Sequence, residues 1–201
     1  MSTNNIREPI QKRSIEKKQK IIKSGFDLIC QKGYYNTNTA EIAKAAGVST
    51  GIVYQYFNDK HDILLEGIKL YAGDIMYPVA NNFPTDVSPD NLKTVLKEVI
   101  NKFIENHKLS QVAHEEIMSM THSDKEIADF YREREMYTTK TISNILIKNG
   151  FDKTNLDERV HISINLIDDL CHEIVYHKHN ELNYDIMINL VLDTIVNLLK
   201  K

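Results

Sequence analysis

Glycine and proline are scarce in this sequence of 201 residues, which holds 7 glycines and 4 prolines. The prolines fall at position 9 and between positions 78 and 89. A β-sandwich of this length needs turn residues roughly every 8 to 12 positions, and an α/β fold needs β-branched runs that alternate with helices. Because neither pattern is present, the sequence favours an all-α fold.

Long apolar runs are also lacking. The longest contain three residues, such as 190–192, whereas a membrane-spanning helix needs roughly 20. Residues 1–9 do not form the apolar stretch of a secretory signal. We therefore expect a cytoplasmic protein with no membrane partner.

Cysteine occurs only twice, at Cys30 and Cys171, and both positions lie within apolar-periodic segments. Neither belongs to a Cys-x-x-Cys pair, the spacing typical of redox and zinc sites. We interpret both as buried free thiols, and we expect no cofactor.

Positive charge is concentrated in residues 1–60, which contain 10 Lys and Arg against 5 Asp and Glu. The remaining residues contain 15 against 23. A basic head joined to an acidic body suggests that the head binds a polyanion. The alternative is that the lysines between positions 12 and 23 are only the solvated face of a helix.

Hydrophobic periodicity and capping residues predict about nine helices. In the first, apolar side chains recur at helical spacing at Ile15, Ile22, Phe26 and Ile29. Capping patterns open later helices at Ser88 with Pro89, Ser123 with Glu126, and Asn155 with Glu158, and the last helix opens at Asn183 or Tyr184. The predicted helices cover residues 14–32, 39–46, 50–57, 60–77, 89–107, 111–120, 124–149, 156–179 and 184–201.

Residues 37–60 predict a helix-turn-helix. Asn38 and Glu41 form a capping box for a short helix that Gly47 ends. Gly47 tolerates a positive φ in the turn, Val48 anchors the turn to the core, and Ser49 caps the next helix. That second helix opens on small and polar residues, and it presents Tyr54, Gln55 and Tyr56 as a polar surface.

These motifs resemble the amino-terminal signature of TetR-type transcriptional regulators over residues 14–65. The matching positions are Gly33, Tyr34, Thr37, Glu41, Ile42, Ala43, Ala46, Gly47, Val48, Ser49, Gly51, Tyr54, Tyr56, Phe57 and Lys60. The resemblance implies a three-helix DNA-binding head at residues 1–60 and an all-helical ligand-binding and dimerisation body at residues 61–201. It further implies a homodimeric repressor that a small, largely apolar ligand releases from a pseudo-palindromic operator.

The resemblance also assigns roles to residues of the head. Thr50, Gly51 and Gln55 stand where the family reads base edges, next to the capping residue Ser49. A glutamine side chain pairs bidentately with adenine in the major groove. Contacts to the DNA backbone are implied for Thr39, Tyr54, Tyr56 and Lys60.

The body carries two further predictions. Aromatic and methionine residues between positions 71 and 137 are numerous enough to line a cavity, although most such stripes are plain core. The ligand residues that we predict there are Tyr71, Phe103, His107, His114, Met118, Tyr131 and Arg134. The last helix is apolar at 10 of the 14 positions from 186 to 199, more than one subunit's core usually covers.

This excess, with an apolar stripe on the preceding helix, resembles the family's four-helix dimer interface. The predicted dimerisation residues are Ile164, Ile167, Cys171, Ile174, Ile188, Val191, Ile195 and Leu199. The alternative is that the last helix packs entirely within one chain.

A metal-dependent helical-bundle enzyme is the alternative function. His114-Glu115 lacks the second histidine of a zinc-protease helix, because Met118 occupies that position. Two Asp/Glu-x-x-His pairs on the eighth helix lie about 16 Å apart, too far for one site. We therefore predict a protein that is not an enzyme and has no metal site.

Overall fold

A computed structural model of the chain describes residues 12–75, 83–107 and 111–200, and within these ranges it contains nine helices and no strand. The helices are α1 (Lys12–Lys32), α2 (Thr39–Ala45), α3 (Thr50–Val53), α4 (Lys60–Ile75), α5 (Leu92–His107), α6 (Gln111–Met120), α7 (Lys125–Lys148), α8 (Leu156–Tyr176) and α9 (Tyr184–Leu199). This confirms the all-α prediction. None of these helices is long and apolar enough to cross a membrane.

The chain divides into two compact units. The first unit comprises Met1–Gly73 and Ser110–Asp129, and the second comprises Asp74–Leu109 and Phe130–Lys201. The boundary that the sequence suggested at residue 60 therefore falls inside the first unit. The physical reason is that α4 and α6 both pack against α1.

The core of the first unit forms where α1 and α4 approach closely. A Cβ atom on Gly25 would lie 2.5 Å from Cγ2 of Ile63, and one on Gly67 would lie 2.7 Å from the Phe26 ring. The other buried apolar residues of this core are Ile21, Ile22, Ile42, Ala43, Ala46, Val53, Tyr56 and Phe57. The predicted apolar stripe of α1 needs one correction, because Ile15 is 40% exposed and Ile21 is fully buried.

The buried face of α1 therefore runs through residues 14, 18, 21 and 25 in its first half. Ser14 bonds to the Tyr56 hydroxyl, and Lys18 lies over the Phe57 ring. Because these inward positions are polar, the hydrophobic pattern pointed to Ile15 instead.

Two helix caps also differ from the predicted ones. Asp124 caps α7, since its Oδ1 accepts from Glu126 N and Ile127 N, each at 3.0 Å. Ser123 is not the cap that the sequence indicated. Asn155 adopts a left-handed φ of 50° and makes no side-chain cap bond.

The fifth helix also starts later than predicted. It begins at Leu92 because Ser88 and Asn91 bond reciprocally in a turn that occupies its expected first residues. The capping residue of α9 is confirmed, since the Asn183 side chain accepts from Ile186 N.

The second unit surrounds a large apolar core built from α5, α7, α8 and α9. Its buried members are Phe83, Val87, Leu92, Val95, Leu96, Val99, Ile100, Phe103, Ile142, Leu146, Phe151, Leu156, Val160, Ile167, Cys171, Leu192, Ile195 and Leu199. Four of the predicted dimerisation residues, Ile167, Cys171, Ile195 and Leu199, are at most 5% exposed in this core. Ile164, Ile188 and Val191 are partly buried against it, and Ile174 is half-buried.

The sequence was therefore wrong to place Ile167, Cys171, Ile195 and Leu199 on an outer surface. With 10 apolar positions in 14, α9 has two apolar faces. One face, spaced 3.6 residues per turn through Leu192 and Ile195, fills the core of a single chain. The other face carries Ile186 and Leu190, which are 57% and 61% exposed.

Candidate nucleic-acid interface

The helix-turn-helix begins with a capping box at α2, as predicted. The Asn38 side chain accepts from Glu41 N at 3.0 Å, and the Glu41 carboxylate accepts from Asn38 N at 3.2 Å. Lys32 pairs with the same carboxylate at 2.6 Å and is the main cause of its lowered pKa. The start of α2 is thus fixed by charged as well as neutral hydrogen bonds.

The turn after α2 has the predicted geometry. Gly47 adopts a φ of 65°, in the left-handed region that favours glycine. Val48 N donates to Ala43 O at 3.0 Å, and the Ser49 hydroxyl accepts from Ile52 N at 3.4 Å. Beyond Val53, single helical turns continue to Phe57, so the predicted span 50–57 is α-helical in its first half.

One surface of this motif is polar and exposed. Ser49, Thr50, Gly51, Tyr54 and Gln55 are all exposed. Their neighbours Val53 and Phe57 are at most 2% exposed in the core. The exposed polar side chains therefore point away from the core, on a helix whose other side is buried in it.

Tyr56 differs from the prediction. It is only 7% exposed, and its hydroxyl is 2.7 Å from the Ser14 hydroxyl. Its ring also packs near Phe57 at 6.5 Å. The predicted polar surface thus includes Tyr54 and Gln55 but not Tyr56, because the Tyr56 ring is buried in the apolar core of the first unit.

Lys60 is also engaged within the fold. Its Nζ donates to Tyr34 O at 2.7 Å and to Thr37 O at 2.9 Å, and it lies 4.2 Å from the centroid of the Tyr34 ring. Partial burial raises the pKa of the Tyr34 hydroxyl, and the charge of Asp59 adds to the effect. Lys60 therefore holds the α1–α2 loop in this structure.

Basic side chains accompany the exposed surface. Lys12, Arg13, Lys17 and Lys20 on α1 and Lys44 on α2 are exposed. The Lys20 ammonium lies 3.4 Å from where a Cβ atom on Gly47 would be, which puts it beside the turn. Thr39, in the first turn of α2, is half-exposed. Sequence reasoning did not single out Lys20, although its charge contributes to the basic head.

A carboxylate on α6 reaches the same loop from another direction. Glu116 accepts a hydrogen bond from Tyr34 N and a longer one, 3.4 Å, from Tyr35 N. Sequence reasoning missed this contact, because the partners lie more than 80 positions apart and no local pattern connects them.

Potential metal ligands cluster at the start of α4, where ligand atoms of Asp59, His61 and Asp62 lie within 4.8 Å of one another. Asp59 caps α4 through His61 N at 2.7 Å, and Asp62 accepts from Asn58 N at 2.8 Å. His61 Nε2 lies 2.6 Å from an Asp124 oxygen. These bonds explain the cluster as helix-end structure.

The second unit contains a small apolar recess. Its lining residues are Phe83, Leu96, Val99, Phe103, Ile142, Val160, Ser163, Ile164, Ile167 and Leu199. Of the predicted ligand residues, Phe103 lines the recess. Tyr131 and Arg134 lie elsewhere in the second unit, and His114 and Met118 belong to the first. The side chains of Tyr71 and His107 lie outside the described part of the chain.

Comparisons with known proteins agree on one family. Residues 21–66 match the family model described as bacterial regulatory proteins, tetR family. The chain is 46% identical over 54 residues, 27% of its own length, to the HTH-type transcriptional regulator HbdR of Aromatoleum sp.. The matched segments span between 24% and 55% of the length of five curated relatives.

Solved structures share the fold over most of the chain. A TetR transcription regulator from Haloarcula marismortui superposes with a TM-score of 0.67 at 19% identity, covering 92% of this chain and 97% of that one. A regulator from Saccharomonospora viridis, solved in complex with choline, gives 0.64 at 20% identity and covers 90% and 96%. The signature at residues 21–66 is thus similar to that of the tetR family of bacterial regulatory proteins, and the chain shares the fold of the solved regulators.

Proposed function

We propose that the protein is a DNA-binding transcriptional regulator that reads a pseudo-palindromic operator through its helix-turn-helix. The observation that carries this proposal is the exposed polar surface of Thr50, Gly51, Tyr54 and Gln55 on a tightly packed three-helix scaffold. Such a helix enters the major groove, where its side chains contact base edges. A DNA target places the activity in the cytoplasm.

Within this surface, Gln55 is the residue that we assign to base recognition. It is exposed and has the bidentate donor and acceptor that adenine requires. Tyr54, 45% exposed, and Thr39 are suited to phosphate oxygens. Ser49 already accepts a bond from Ile52 N, so its role toward DNA is secondary to capping α3.

Selection of duplexes from random DNA with the purified protein tests the proposal. A selected pseudo-palindrome should bind with a log affinity that falls steeply with log salt concentration, because Lys and Arg release counterions from phosphates. Gln55→Ala should cost about 1 to 3 kcal/mol at one base position per half-site. Lys20→Ala should weaken all sequences alike. A protein that selects no sequence and shows no salt dependence contradicts the proposal.

We further propose that two chains pair through the exposed apolar faces of α8 and α9. Ile162 on α8 and Ile186 and Leu190 on α9 are each at least 50% exposed, and exposed apolar patches mark interaction sites. A two-fold dimer also supplies the two heads that a pseudo-palindrome requires.

Sedimentation of Leu190→Lys tests this interface. The variant should be monomeric at concentrations where the wild-type protein is a dimer, because lysine at a dimer interface would be buried without a partner. Ile147→Lys is the matched control, since Ile147 is a 44% exposed apolar residue on α7. A Leu190→Lys protein that remains a dimer of wild-type affinity contradicts this interface.

The effector that we propose is an uncharged, largely apolar molecule bound in the recess of the second unit. We propose that the protein is a repressor and that effector binding releases it from DNA. Among the residues described around the recess, Ser163 is polar and none is charged, and the Ser163 hydroxyl donates to Arg159 O. Burying a charge there would be costly. The Saccharomonospora viridis regulator was solved in complex with the cation choline. The effector that we propose for this chain differs from choline in carrying no charge.

Thermal shift measurements with 1-octanol and with choline test the effector class. 1-Octanol should raise the melting temperature in proportion to its binding, and it should weaken binding to the selected duplex. Phe103→Lys should abolish the shift. Stabilisation by choline with none by 1-octanol contradicts the proposed class.

A further inference from the structure

Glu116 connects α6 to the loop that precedes the helix-turn-helix. Its Oε2 accepts hydrogen bonds from the backbone N–H groups of Tyr34 and Tyr35. Consecutive backbone N–H groups in a turn form a concave site that suits an anion. A charged side chain that is distant in sequence thus occupies a site built by the loop.

Two side chains of opposite charge bind the backbone of the loop, one at an N–H group and the other at a C=O group. The N–H of Tyr34 donates to the Glu116 carboxylate, while its C=O accepts from the Lys60 ammonium at 2.7 Å. Hydrogen bonds to ionised groups are roughly twice as strong as neutral ones. The charged side chains of Glu116, on α6, and Lys60, on α4, therefore set the orientation of the backbone at Tyr34.

Gly33 makes the approach of the carboxylate possible. A Cβ atom at this position would lie 2.5 Å from Glu116 Oε1. Gly33 also has a φ of 90°, a conformation that residues other than glycine rarely adopt. The turn that presents the N–H groups and the space that admits the carboxylate both depend on this residue.

The loop determines where α2 begins. Thr37 is 2% exposed, and its hydroxyl donates to Gly33 O at 2.7 Å. Asn38, the next residue, caps α2. The bond that closes the loop and the cap of α2 are therefore on consecutive residues.

We propose that Glu116 is a positioning residue for operator recognition, which orients the helix-turn-helix by holding the loop at residues 33–38. This inference rests on the proposed function as a DNA-binding regulator. Glu116 acts through Tyr34 and does not itself contact DNA. It makes α6 a working part of the DNA-binding unit, in agreement with the grouping of residues 110–129 with the head.

The test compares Glu116→Gln with a matched control. Glutamine keeps the size and one acceptor oxygen of the side chain but removes its charge. Glu126→Gln removes the same charge from an exposed position in the first turn of α7, within the same unit. For each protein, affinities are measured at one salt concentration for a duplex selected by the wild-type protein and for a random duplex of equal length.

Glu116→Gln should lose about fivefold to tenfold in affinity for the selected duplex, the difference between a charged and a neutral hydrogen bond. Its affinity for the random duplex should change less than about twofold, because nonspecific binding depends on charge more than on orientation. The control should match the wild-type protein on both duplexes. Exchange of the Tyr34 amide hydrogen should be faster in Glu116→Gln and unchanged in the control.

A residue with a merely structural role would lower the melting temperature but leave the ratio of the two affinities unchanged among folded molecules. All affinities are therefore measured well below the melting temperature of each variant. If the wild-type protein selects a duplex and the ratio is unchanged in Glu116→Gln, the positioning role is overturned. If the wild-type protein selects no duplex, the proposed function fails and this inference fails with it.

Discussion

Both units have an apolar core, but they differ in how far polar side chains fix the backbone around it. In the first unit, side-chain caps at Asn38, Ser49 and Asp124 fix helix starts, and Lys60 and Glu116 bond to the backbone of one loop. In the second unit, 18 buried residues form one apolar cluster. Hydrogen bonds are directional, whereas apolar burial is not. The surface that we propose to bind DNA therefore lies where polar groups set the geometry.

The second unit has apolar side chains that its own core does not cover. Ile162 and Leu190 are exposed, whereas the recess around Phe103 is lined mainly by residues of the core itself. Exposed apolar patches mark interaction sites. The exposed side chains are what a unit needs if it pairs with a second chain.

The largest difference that we expect between the two units is in the reactivity of their cysteine thiols. Each unit contains one cysteine, Cys30 in the first and Cys171 in the second. Burial, with a smaller contribution from the charge of Asp168, raises the pKa of Cys171 to about 12. At pH 8 about one molecule in ten thousand would carry the thiolate, the reactive form. Cys171 should therefore react with a thiol reagent only after the second unit opens.

Labelling of Cys30→Ser and Cys171→Ser across a denaturant series measures this. Each variant retains one thiol, and Cys30, half-buried in α1, reports on the first unit. Reaction of Cys171 in native protein at the rate of a free thiol would contradict the assignment.

A charge placed in the second core should have the next largest effect. Ile195 is fully buried, and Ile195→Lys should lower the free energy of unfolding by about 4 kcal/mol or more, because the ammonium would lose its water without a partner. Ile147→Lys, at an exposed apolar site, should stay within about 1 kcal/mol of the wild-type protein. Chemical denaturation compares them. Equal stability of the two variants would mean that Ile195 faces outward after all, as the sequence suggested.

Lys60→Met separates the two roles of this lysine. If Lys60 stabilises the loop, removal of its bonds to Tyr34 O and Thr37 O should cost about 2 kcal/mol of stability, with an unchanged salt dependence of DNA binding. Lys44→Met, at an exposed site on α2, should leave stability unchanged. The opposite result, unchanged stability and a log–log salt slope shallower by about two, would assign Lys60 to phosphate contact in both half-sites.

The smallest expected effect concerns the cap of α7. Partial burial alone would raise the pKa of Asp124, but hydrogen bonds from Ile127 N and His61 outweigh it, so the pKa is lowered in the folded state. A carboxyl with a lowered pKa stabilises the fold above its unfolded pKa, and this contribution is lost as the pH falls through the folded value. Asp124→Ala should therefore cost about 1 kcal/mol at pH 7 and less below about pH 4.

Ser123→Ala is the control for this prediction, since the structure assigns no capping role to the exposed Ser123. Denaturation at pH 7 and pH 3 provides the measurement. A larger loss for Ser123→Ala than for Asp124→Ala would support the cap that the sequence indicated.

Prediction from sequence succeeded for the local signals of the helix-turn-helix, although the local caps expected at Ser88, Ser123 and Asn155 were wrong. The capping box at Asn38 and Glu41 depends on residues three positions apart, and the turn at Gly47 depends on one residue's φ. It failed where partners are distant. Tyr56 is buried in a core that includes α1, and its hydroxyl lies 2.7 Å from that of Ser14, 42 residues away. No spacing along the chain contains that information.

The sequence by itself determined the helical fold, the helix-turn-helix and the exposure of Tyr54 and Gln55, because caps, glycine turns and hydrophobic periods act over a few residues. Tertiary structure alone decided which apolar face of α9 enters the core, and that Lys60 and Glu116 bond to the Tyr34 backbone. These outcomes depend on which helices pack together. Burial energy is summed over contacts between segments far apart in the chain, so the pattern within one segment cannot rank its two apolar faces.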